Sequence, residues 1–347
     1  MESILKHLVE LTGHRDHDLL DISIMSALHD LVGVQQARVL EIFKVHGQPH
    51  LHTRVHIEDG QFLPCDEHAD GDSDIALSTY PALAACIEQR SDSTEQINAD
   101  GSHVLWLPIW LNDRLSSCLE IKTATALGTE ARLTMDGMLR VYYNFQNLLD
   151  YSERDSLTGL LNRKTFDENF SRLVTAANQC QSPAQANGER RGSSEHHEHR
   201  EHWLAVIDID HFKRVNDRFG HLYGDEVLLL VSNLLRNSFR AQDRIFRFGG
   251  EEFVVLLRAA TLTDARSIFT RFRTNVEHYD FPQVGQITVS IGFAGLSQQT
   301  PVVILGHADQ ALYHAKTHGR NQVSHYEELV SKGLLHAEVT HDDVEFF

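Results

Sequence analysis

Apolar residues recur along the chain with two spacings, which predict helices and strands. Near the N-terminus they recur every three or four residues, the spacing of one helical face. We therefore predict two helices with apolar positions Ile4, Leu5, Leu8 and Leu11, then Leu20, Ile24, Leu28 and Leu31. Strand-like runs follow at 37–45 and 51–57, and two more at 104–110 and 115–123 flank the turn-favouring pair Asn112-Asp113. Residues 1–126 are thus predicted to form one mixed α/β domain.

The segment 127–154 is predicted to be a single connecting helix. Residues recur there at alternating intervals of four and three, the heptad spacing of helices that pack side by side. The seam consists of Ala131, Met135, Met138, Tyr142, Phe145, Leu149 and Ser152. A parallel dimer helix would explain it, and so would one amphipathic helix packed on its own domain. We favour the dimer helix, because the chemistry predicted below needs two copies of the chain.

Residues 155–326 alternate between the two spacings, which is typical of a sheet layered with helices. Helices are predicted at 165–177, 225–239, 264–278 and 302–317, and strands at 204–209, 244–248, 252–257, 287–292 and 322–326. The polar, histidine-rich segment 179–202 breaks this order and is predicted to be an exposed insertion. We favour a solvated loop there over a Zn²⁺ or Cu²⁺ site. The acidic tail 327–347 would dock on its own domain or on a partner.

The charge balance excludes one class of function. The chain has 31 Lys and Arg against 49 Asp and Glu, a net charge of −18. Broad nucleic-acid binding needs clustered cations, so we expect no nucleic-acid partner. Met1-Glu2-Ser3 lacks the start of a signal peptide, and the longest apolar run, Val104–Leu111, is too short to cross a bilayer. We therefore expect a cytoplasmic protein without a membrane span.

Two acidic motifs together predict a metal and nucleotide site. An apolar strand ends in Asp208 and Asp210, and Gly249-Gly250-Glu251-Glu252 lies between two other strands. Carboxylate oxygens suit Mg²⁺ or Mn²⁺ that carries nucleotide phosphates. The Gly-Gly pair predicts a tight hairpin turn with room for a ligand. Separately, the motifs would be more typical of a helix cap and a solvated hairpin end, but their combination favours a metal site.

The chain resembles the GGDEF family of diguanylate cyclases at five motifs in the family's order. They are Asp155–Arg163, Asp208–Asp225, Gly249–Phe253, Thr288–Gly292, and Ala308–Lys316 with Gly319-Arg320-Asn321. The resemblance implies an α/β (α+β) fold for 155–326, with a central, mostly antiparallel sheet flanked by helices, as in nucleotidyl cyclases and polymerase palms. By the order of their elements, residues 1–126 resemble a GAF-type sensor, and a dimerisation or spacer domain without a ligand is the alternative.

The resemblance also implies a role for each matching residue. The catalytic metals, two Mg²⁺ or Mn²⁺ per site, would be held by Asp208, Glu251, Glu252 and the carbonyl of Ile209. Guanine would be bound by Asn216 and Asp225, and Asp225 favours GTP over ATP. Phosphates would be bound by amides near Phe212 and Lys213, and by Lys316 and Arg320, which lie four apart and hence on one predicted helix face. A regulatory product site would contain Arg240, Asp243 and Arg271.

The implied reaction condenses two GTP into cyclic di-GMP and two pyrophosphate. Each domain would hold one GTP, so two domains must meet in a homodimer. Cyclic di-GMP would inhibit its own synthesis, and an unknown small molecule or protein partner would act on residues 1–126. In bacteria such an output would promote biofilm formation. The alternative is a catalytically silent cyclic di-GMP receptor or scaffold, against which the complete set of motif residues argues.

Overall fold

The computed structural model describes residues 2–45, 48–63, 75–111, 114–180, 200–240, 242–297 and 299–335. The chain divides into two compact units, Met1–Ser152 and Glu153–Phe347. Over the described ranges, no helix is long and apolar enough to cross a membrane. The predicted turn at Asn112-Asp113, most of the predicted insertion (181–199) and the tail from residue 336 lie outside the described residues.

The N-terminal unit is built around a seven-stranded antiparallel sheet. Its helices are α1 (Glu2–Gly13), α2 (His17–Val32), α3 (Pro81–Glu88) and α4 (Thr129–Glu153). Its strands are β1 (Gln36–Val45), β2 (Gln48–Glu58), β3 (Gln61–Leu63), β4 (Ile75–Ala76), β5 (Thr94–Ile97), β6 (His103–Leu111) and β7 (Arg114–Thr123). The strand order is β3-β2-β1-β7-β6-β5, with β4 beside β2.

Alternating side chains of the sheet enter two separate cores. Val39 packs in the cluster that contains the buried residues of α1, α2 and α4, whereas its neighbour Leu40 packs in the cluster that contains Leu83 of α3. This follows from the two-residue period of a strand. The predicted helices and strands of this half are confirmed, while α3, β3, β4 and β5 are additional.

Helix α4 coincides with the predicted connecting helix, but its heptad seam enters the core of its own unit. Four seam residues are at most 8% exposed within the single chain, namely Met135, Met138, Tyr142 and Leu149. They pack with buried residues of α2 and the sheet. The alternative of one amphipathic helix packed on its own domain therefore describes this seam, and the seam does not by itself indicate a second helix.

The C-terminal unit contains a six-stranded sheet flanked by helices. Its strands are β8 (Leu161–Asn162), β9 (Glu201–Ile209), β10 (Arg244–Gly249), β11 (Glu252–Ala260), β12 (Val289–Gly295) and β13 (Val323–His325). Its helices are α5 (Phe166–Cys180), α6 (Phe212–Phe219), α7 (His221–Ser238), α8 (Leu262–Glu277), α9 (Pro301–Thr317) and α10 (Tyr326–Ser331). The strand order is β13-β12-β9-β11-β10-β8. The four central strands are antiparallel and the two edge strands are parallel to their neighbours, which confirms the predicted fold class.

Two boundaries of this half differ from the sequence prediction. Helix α5 continues to Cys180 and strand β9 begins at Glu201, so both ends of the predicted insertion belong to regular elements. The predicted tail begins with α10, because Tyr326 and Leu329 are buried against α5 and α9. Burial of these two side chains explains why a helix forms where the acidic composition predicted only a tail.

Each face of this sheet has its own core, and the two cores position the helices that carry the site. Ile207 packs with α6, α7 and α8, and Val206 packs with α5 and α9. Helix α9 lies directly on β12. A Cβ at Gly292 would overlap backbone atoms of Ala308 and Leu312, so glycine is needed for this close contact. This close approach places the C-terminal end of α9 beside the end of β9.

Candidate active site

The carboxylates of the predicted metal site meet at the ends of β9 and β11. The antiparallel register pairs Asp208 with Glu252, which makes their side chains neighbours on one face. Glu251 lies in the two-residue turn between β10 and β11, where the Gly-Gly pair predicted a hairpin. From α9, Lys316 reaches the same place, with its Nζ 2.8 Å from Oδ2 of Asp208.

Crowding and burial raise the pKa of each of these carboxyl groups. Burial, with the nearby negative charges of Asp208 and Glu252, raises the pKa of Glu251 to about 7, although Lys316 opposes the shift. The pKa of Glu252 is raised by burial and by Asp208, and that of Asp208 by burial. The charges of Lys316 and Arg163 oppose these shifts without reversing them, so the site favours additional positive charge.

The donor set fits a divalent metal that is shared with a substrate. Within the ranges described above, no three His, Cys, Asp or Glu side chains form a complete cage for a metal ion. Mg²⁺ typically binds one or two carboxylates, substrate phosphates and water instead of an all-protein cage. Asp208, Glu251, Glu252 and the carbonyl of Ile209 supply hard oxygen donors of this kind.

Arg247, to which the sequence assigned no role, fixes the turn that carries Glu251. Its Nη2 and Nε donate to the carbonyl of Gly250 at 2.9 and 3.2 Å. Its Nη1 donates to Oδ1 of Asp155 at 2.9 Å. The same carboxylate accepts from the backbone amide of Thr158 at 2.8 Å. The motif that begins at Asp155 therefore supports the acidic turn.

Asn216 and Asp225 are brought together by α6, a helix that the sequence did not predict. Asn216 lies on α6 and Asp225 on α7. A Cβ at Gly224 would overlap Oδ1 of Asn216 and contact the ring of Phe212. Glycine at this position therefore lets the Asn216 amide lie against α7, next to Asp225. An amide and a carboxylate together would offer the donors and acceptors that a guanine edge requires.

The connection from β9 to α6 suits the predicted phosphate site at Phe212 and Lys213. His211 adopts a left-handed conformation with φ 60, and α6 begins directly after it. Within the described part of the chain, the side chain of His211 makes no capping hydrogen bond to α6. The amides of its first turn are therefore oriented to donate to an anion, and they lie close in sequence to Asp208.

The prediction that Lys316 and Arg320 share one helix face is wrong. Helix α9 ends at Thr317, because Gly319 follows with φ 112, a left-handed conformation that ends a helix. Arg320 lies in the turn beyond the helix, is exposed, and has φ 60. The two cations therefore belong to different elements, Lys316 to the helix and Arg320 to the turn.

The predicted product site lies around the connection between α7 and β10. Asp243 is 6% exposed, and its carboxylate accepts from the backbone amides of Arg240 at 2.9 Å and Arg258 at 3.1 Å. It thus fixes the turn that presents the exposed Arg240. Arg271 of α8 donates to the carbonyl of Ser238 at 3.1 Å, at the end of α7.

Asp309 is a member of the acidic site that sequence reasoning missed. Its negative charge contributes to the raised pKa values of Asp208 and Glu252, and burial raises its own pKa. Asp309 and Lys316 lie seven residues apart on α9, and this spacing places both on one helical face. This seven-residue spacing is the sequence signal from which Asp309 could have been predicted.

Comparison with known proteins identifies the unit that carries this site. Residues 185–322 match the family described as "Diguanylate cyclase, GGDEF domain". The C-terminal unit contains a GGDEF domain. Diguanylate cyclase DgcP of Pseudomonas aeruginosa is 40% identical over 173 residues, which are 49% of this chain and 23% of that protein. Response regulator PleD of Caulobacter vibrioides is 35% identical over 187 residues, which are 52% of this chain and 37% of that protein.

A solved structure of the coiled coil and GGDEF domain of DgcB from Caulobacter crescentus, in complex with c-di-GMP, is also similar. It aligns with 56% of this chain and 98% of that chain, at 27% identity and a TM-score of 0.48. The chain spans less than two thirds of the length of the two curated relatives. Their similarity therefore concerns the GGDEF domain, which contains the acidic site described above.

Proposed function

We propose that the chain is a diguanylate cyclase, which condenses two GTP into cyclic di-GMP and releases two pyrophosphate. The observation that supports this most is the meeting of Asp208, Glu251 and Glu252 at the strand ends, beside Lys316. Buried carboxylates that repel one another are unfavourable unless a cation joins them. A catalytically silent receptor would have no use for such a site.

In this proposal the GGDEF domain binds one GTP between α6, α7 and the end of α9. Asn216 and Asp225 bind the guanine edge, and the amides near Phe212 and Lys213 bind phosphate oxygens. Lys316, which is paired with Asp208, exchanges this carboxylate for a phosphate oxygen, while Arg320 binds the terminal phosphates. These contacts hold the α-phosphate near the acidic residues.

The carboxylates and the carbonyl of Ile209 hold the divalent ions in this proposal. Two Mg²⁺ or Mn²⁺ would, when bound, activate the attacking 3′-hydroxyl and neutralise charge on the phosphates. Asp208 and Glu251 provide the principal side-chain ligands, and Glu252 assists. Their mutual repulsion, which raises the pKa of Glu251 to about 7, makes cation binding more favourable.

The reaction needs two copies of the GGDEF domain, because each copy has one nucleotide site. We therefore propose a homodimer in which each bound GTP supplies the nucleophile for the α-phosphate of the other. We also propose that the N-terminal unit is a GAF-like regulatory domain. Its sheet with helices supports this assignment, and a small molecule or protein partner would be its signal.

Turnover of GTP with Mg²⁺ by the purified chain tests the proposal. The wild type should form cyclic di-GMP, and Glu251→Ala should form at least about a thousandfold less, equivalent to roughly 4 kcal/mol of transition-state stabilisation. Glu168→Ala is the matched control, because Glu168 is an exposed glutamate of α5 that pairs with Arg172. A wild type that binds cyclic di-GMP but forms none would favour the receptor instead.

Product inhibition at Arg240, Asp243 and Arg271 is a further part of the proposal. The exposed guanidinium groups of Arg240 and Arg271 near the end of α7 suit the phosphates and guanine edges of the product. Arg240→Ala should weaken inhibition by added cyclic di-GMP at least about tenfold, because it removes a charge-assisted hydrogen bond. An unchanged inhibition constant would rule out this site.

A further inference from the structure

Asp210 follows the proposed metal ligand Asp208 by two residues but has different surroundings. It is 6% exposed, and its Oδ1 accepts from Oγ of Ser290 at 2.7 Å. Its Oδ2 accepts from Oγ1 of Thr288 at 2.7 Å and from the backbone amide of Asn321 at 3.0 Å. Both oxygens are thus engaged, and they join the end of β9 to the turn that follows α9.

The turn held by Asp210 contains two consecutive left-handed residues. Arg320 has φ 60 and Asn321 has φ 47. Residues with a Cβ disfavour this conformation, although asparagine tolerates it better than arginine does. Such a conformation persists where surrounding contacts fix it, and it is commonest at functional sites. The contacts that fix Asn321 therefore also restrict the backbone of the neighbouring Arg320.

The side chain of Asn321 is fixed as firmly as its backbone. Its Oδ1 accepts from Nη1 of Arg273 at 2.7 Å, and its Nδ2 donates to Oε1 of Glu277 at 2.7 Å. Arg273 and Glu277 also pair with each other at 2.7 Å on α8. Asn321 is consequently held by α8 through its side chain and by β9 through its backbone.

We propose that Asp210, Asn321 and Arg273 form a positioning network that holds Arg320 towards the terminal phosphates of GTP. The inference rests on the proposed function. None of the three touches the substrate, and the network acts through the backbone of the turn. Because Arg320 binds only the terminal phosphates, the network determines the preference for a guanosine triphosphate over a guanosine monophosphate.

Nucleotide binding to the full chain tests this network with two probes. The first is 3′-deoxy-GTP with Mg²⁺, which lacks the attacking hydroxyl, and the second is GMP. Arg273→Met and Asn321→Gly should each weaken 3′-deoxy-GTP binding about tenfold, or about 1.4 kcal/mol, and change GMP binding less than about twofold. Asn321→Gly permits the left-handed turn and keeps the amide that donates to Asp210, so it isolates the side-chain contacts.

Arg266→Met is the matched control for Arg273→Met. Arg266 lies on the same helix and also pairs with a carboxylate, that of Glu328, and among the described residues no hydrogen bond joins it to the turn. The Arg266→Met variant should bind both probes as tightly as the wild type does. Equal weakening of both probes in Arg273→Met, with a lowered melting temperature, would mean general destabilisation and would overturn the inference.

A double-variant cycle tests whether Arg273 acts through Arg320 or independently of it. Arg320→Ala should weaken 3′-deoxy-GTP binding at least as much as Arg273→Met does. Adding Arg273→Met to Arg320→Ala should cause no further loss, because the network acts only through Arg320. Additive losses would overturn the inference.

The outcomes also distinguish this inference from the proposed function. If Arg320→Ala weakens 3′-deoxy-GTP binding but Arg273→Met and Asn321→Gly do not, the network is wrong and the proposed function stands. If Arg320→Ala binds 3′-deoxy-GTP normally, the role of Arg320 in the proposed function fails, and the network fails with it. Formation of cyclic di-GMP by the wild type tests the cyclase activity separately.

Discussion

Each unit of the chain buries an aspartate among polar groups, and the two aspartates differ in how they are neutralised. In the N-terminal unit, Asp21 of α2 is 1% exposed. Its Oδ1 accepts from Oη of Tyr142 at 2.6 Å and from Nε2 of Gln146 at 2.8 Å, both on α4. Its Oδ2 lies 3.0 Å from Nη2 of Arg54. This carboxylate thus has two hydrogen-bond donors on α4 and an ion-pair neighbour on β2 that it shares with Asp18.

In the GGDEF domain, Asp208 is 4% exposed and pairs with Lys316, but it shares its surroundings with Glu251 and Glu252. The local charge is therefore unbalanced. Burial is almost equal at Asp21 and Asp208, so burial does not distinguish a structural carboxylate from a functional one. Their neighbours differ instead, because hydroxyl and amide donors of α4 contact Asp21, whereas Glu251 and Glu252 lie beside Asp208.

Asp21→Ala and Asp208→Ala should differ strongly in their effect on the free energy of unfolding. Asp21→Ala leaves Arg54 and Tyr142 without their buried acceptor, and should lower the free energy of unfolding of the N-terminal unit by roughly 3 kcal/mol. Asp208→Ala removes a repelled charge and should leave the stability of metal-free protein unchanged or higher. Urea denaturation of both variants checks this, and equal losses would show that the two aspartates contribute alike to stability.

A smaller effect is expected for Tyr142→Phe, which removes one hydroxyl donor from Asp21. Because the acceptor is a buried carboxylate, the free energy of unfolding should fall by about 2 kcal/mol. Tyr143→Phe is the matched control on the same helix, since no hydrogen bond of its hydroxyl is present in the described part of the chain. Denaturation midpoints that shift equally for both variants would show that the hydroxyl bond contributes little.

A further expected effect is a pH dependence at Glu251. Its pKa of about 7 in the folded protein lies above the usual 4.5, so the folded state binds this proton more tightly than the unfolded state. The resulting stability is complete below about pH 4.5 and is lost as pH rises through about 7. Without divalent metal, melting temperature should fall across this window more steeply for the wild type than for Glu251→Gln. Parallel curves would contradict the raised pKa.

Much of the fold was predictable from sequence because it depends on local spacing. The long helices and central strands follow from apolar periodicity over ten or more residues, as in α2 and α7. Helix α6 was missed because its eight residues are too few to establish a period. The heptad seam of α4 was detected, but a spacing does not say whether its partner is a second chain or the core of its own unit.

The candidate site, like the fold, was predictable only in part. The candidate residues could be predicted from the sequence, because the acidic, glycine and basic positions of the GGDEF domain lie in short motifs. The contacts that hold those residues, and the charges around them, could not be predicted from the motifs. The contact between Asp210 and Asn321 joins residues 111 positions apart, and the raised pKa of Glu251 depends on charges from β9 and α9. No local pattern contains such pairs, since folding alone brings these distant segments together.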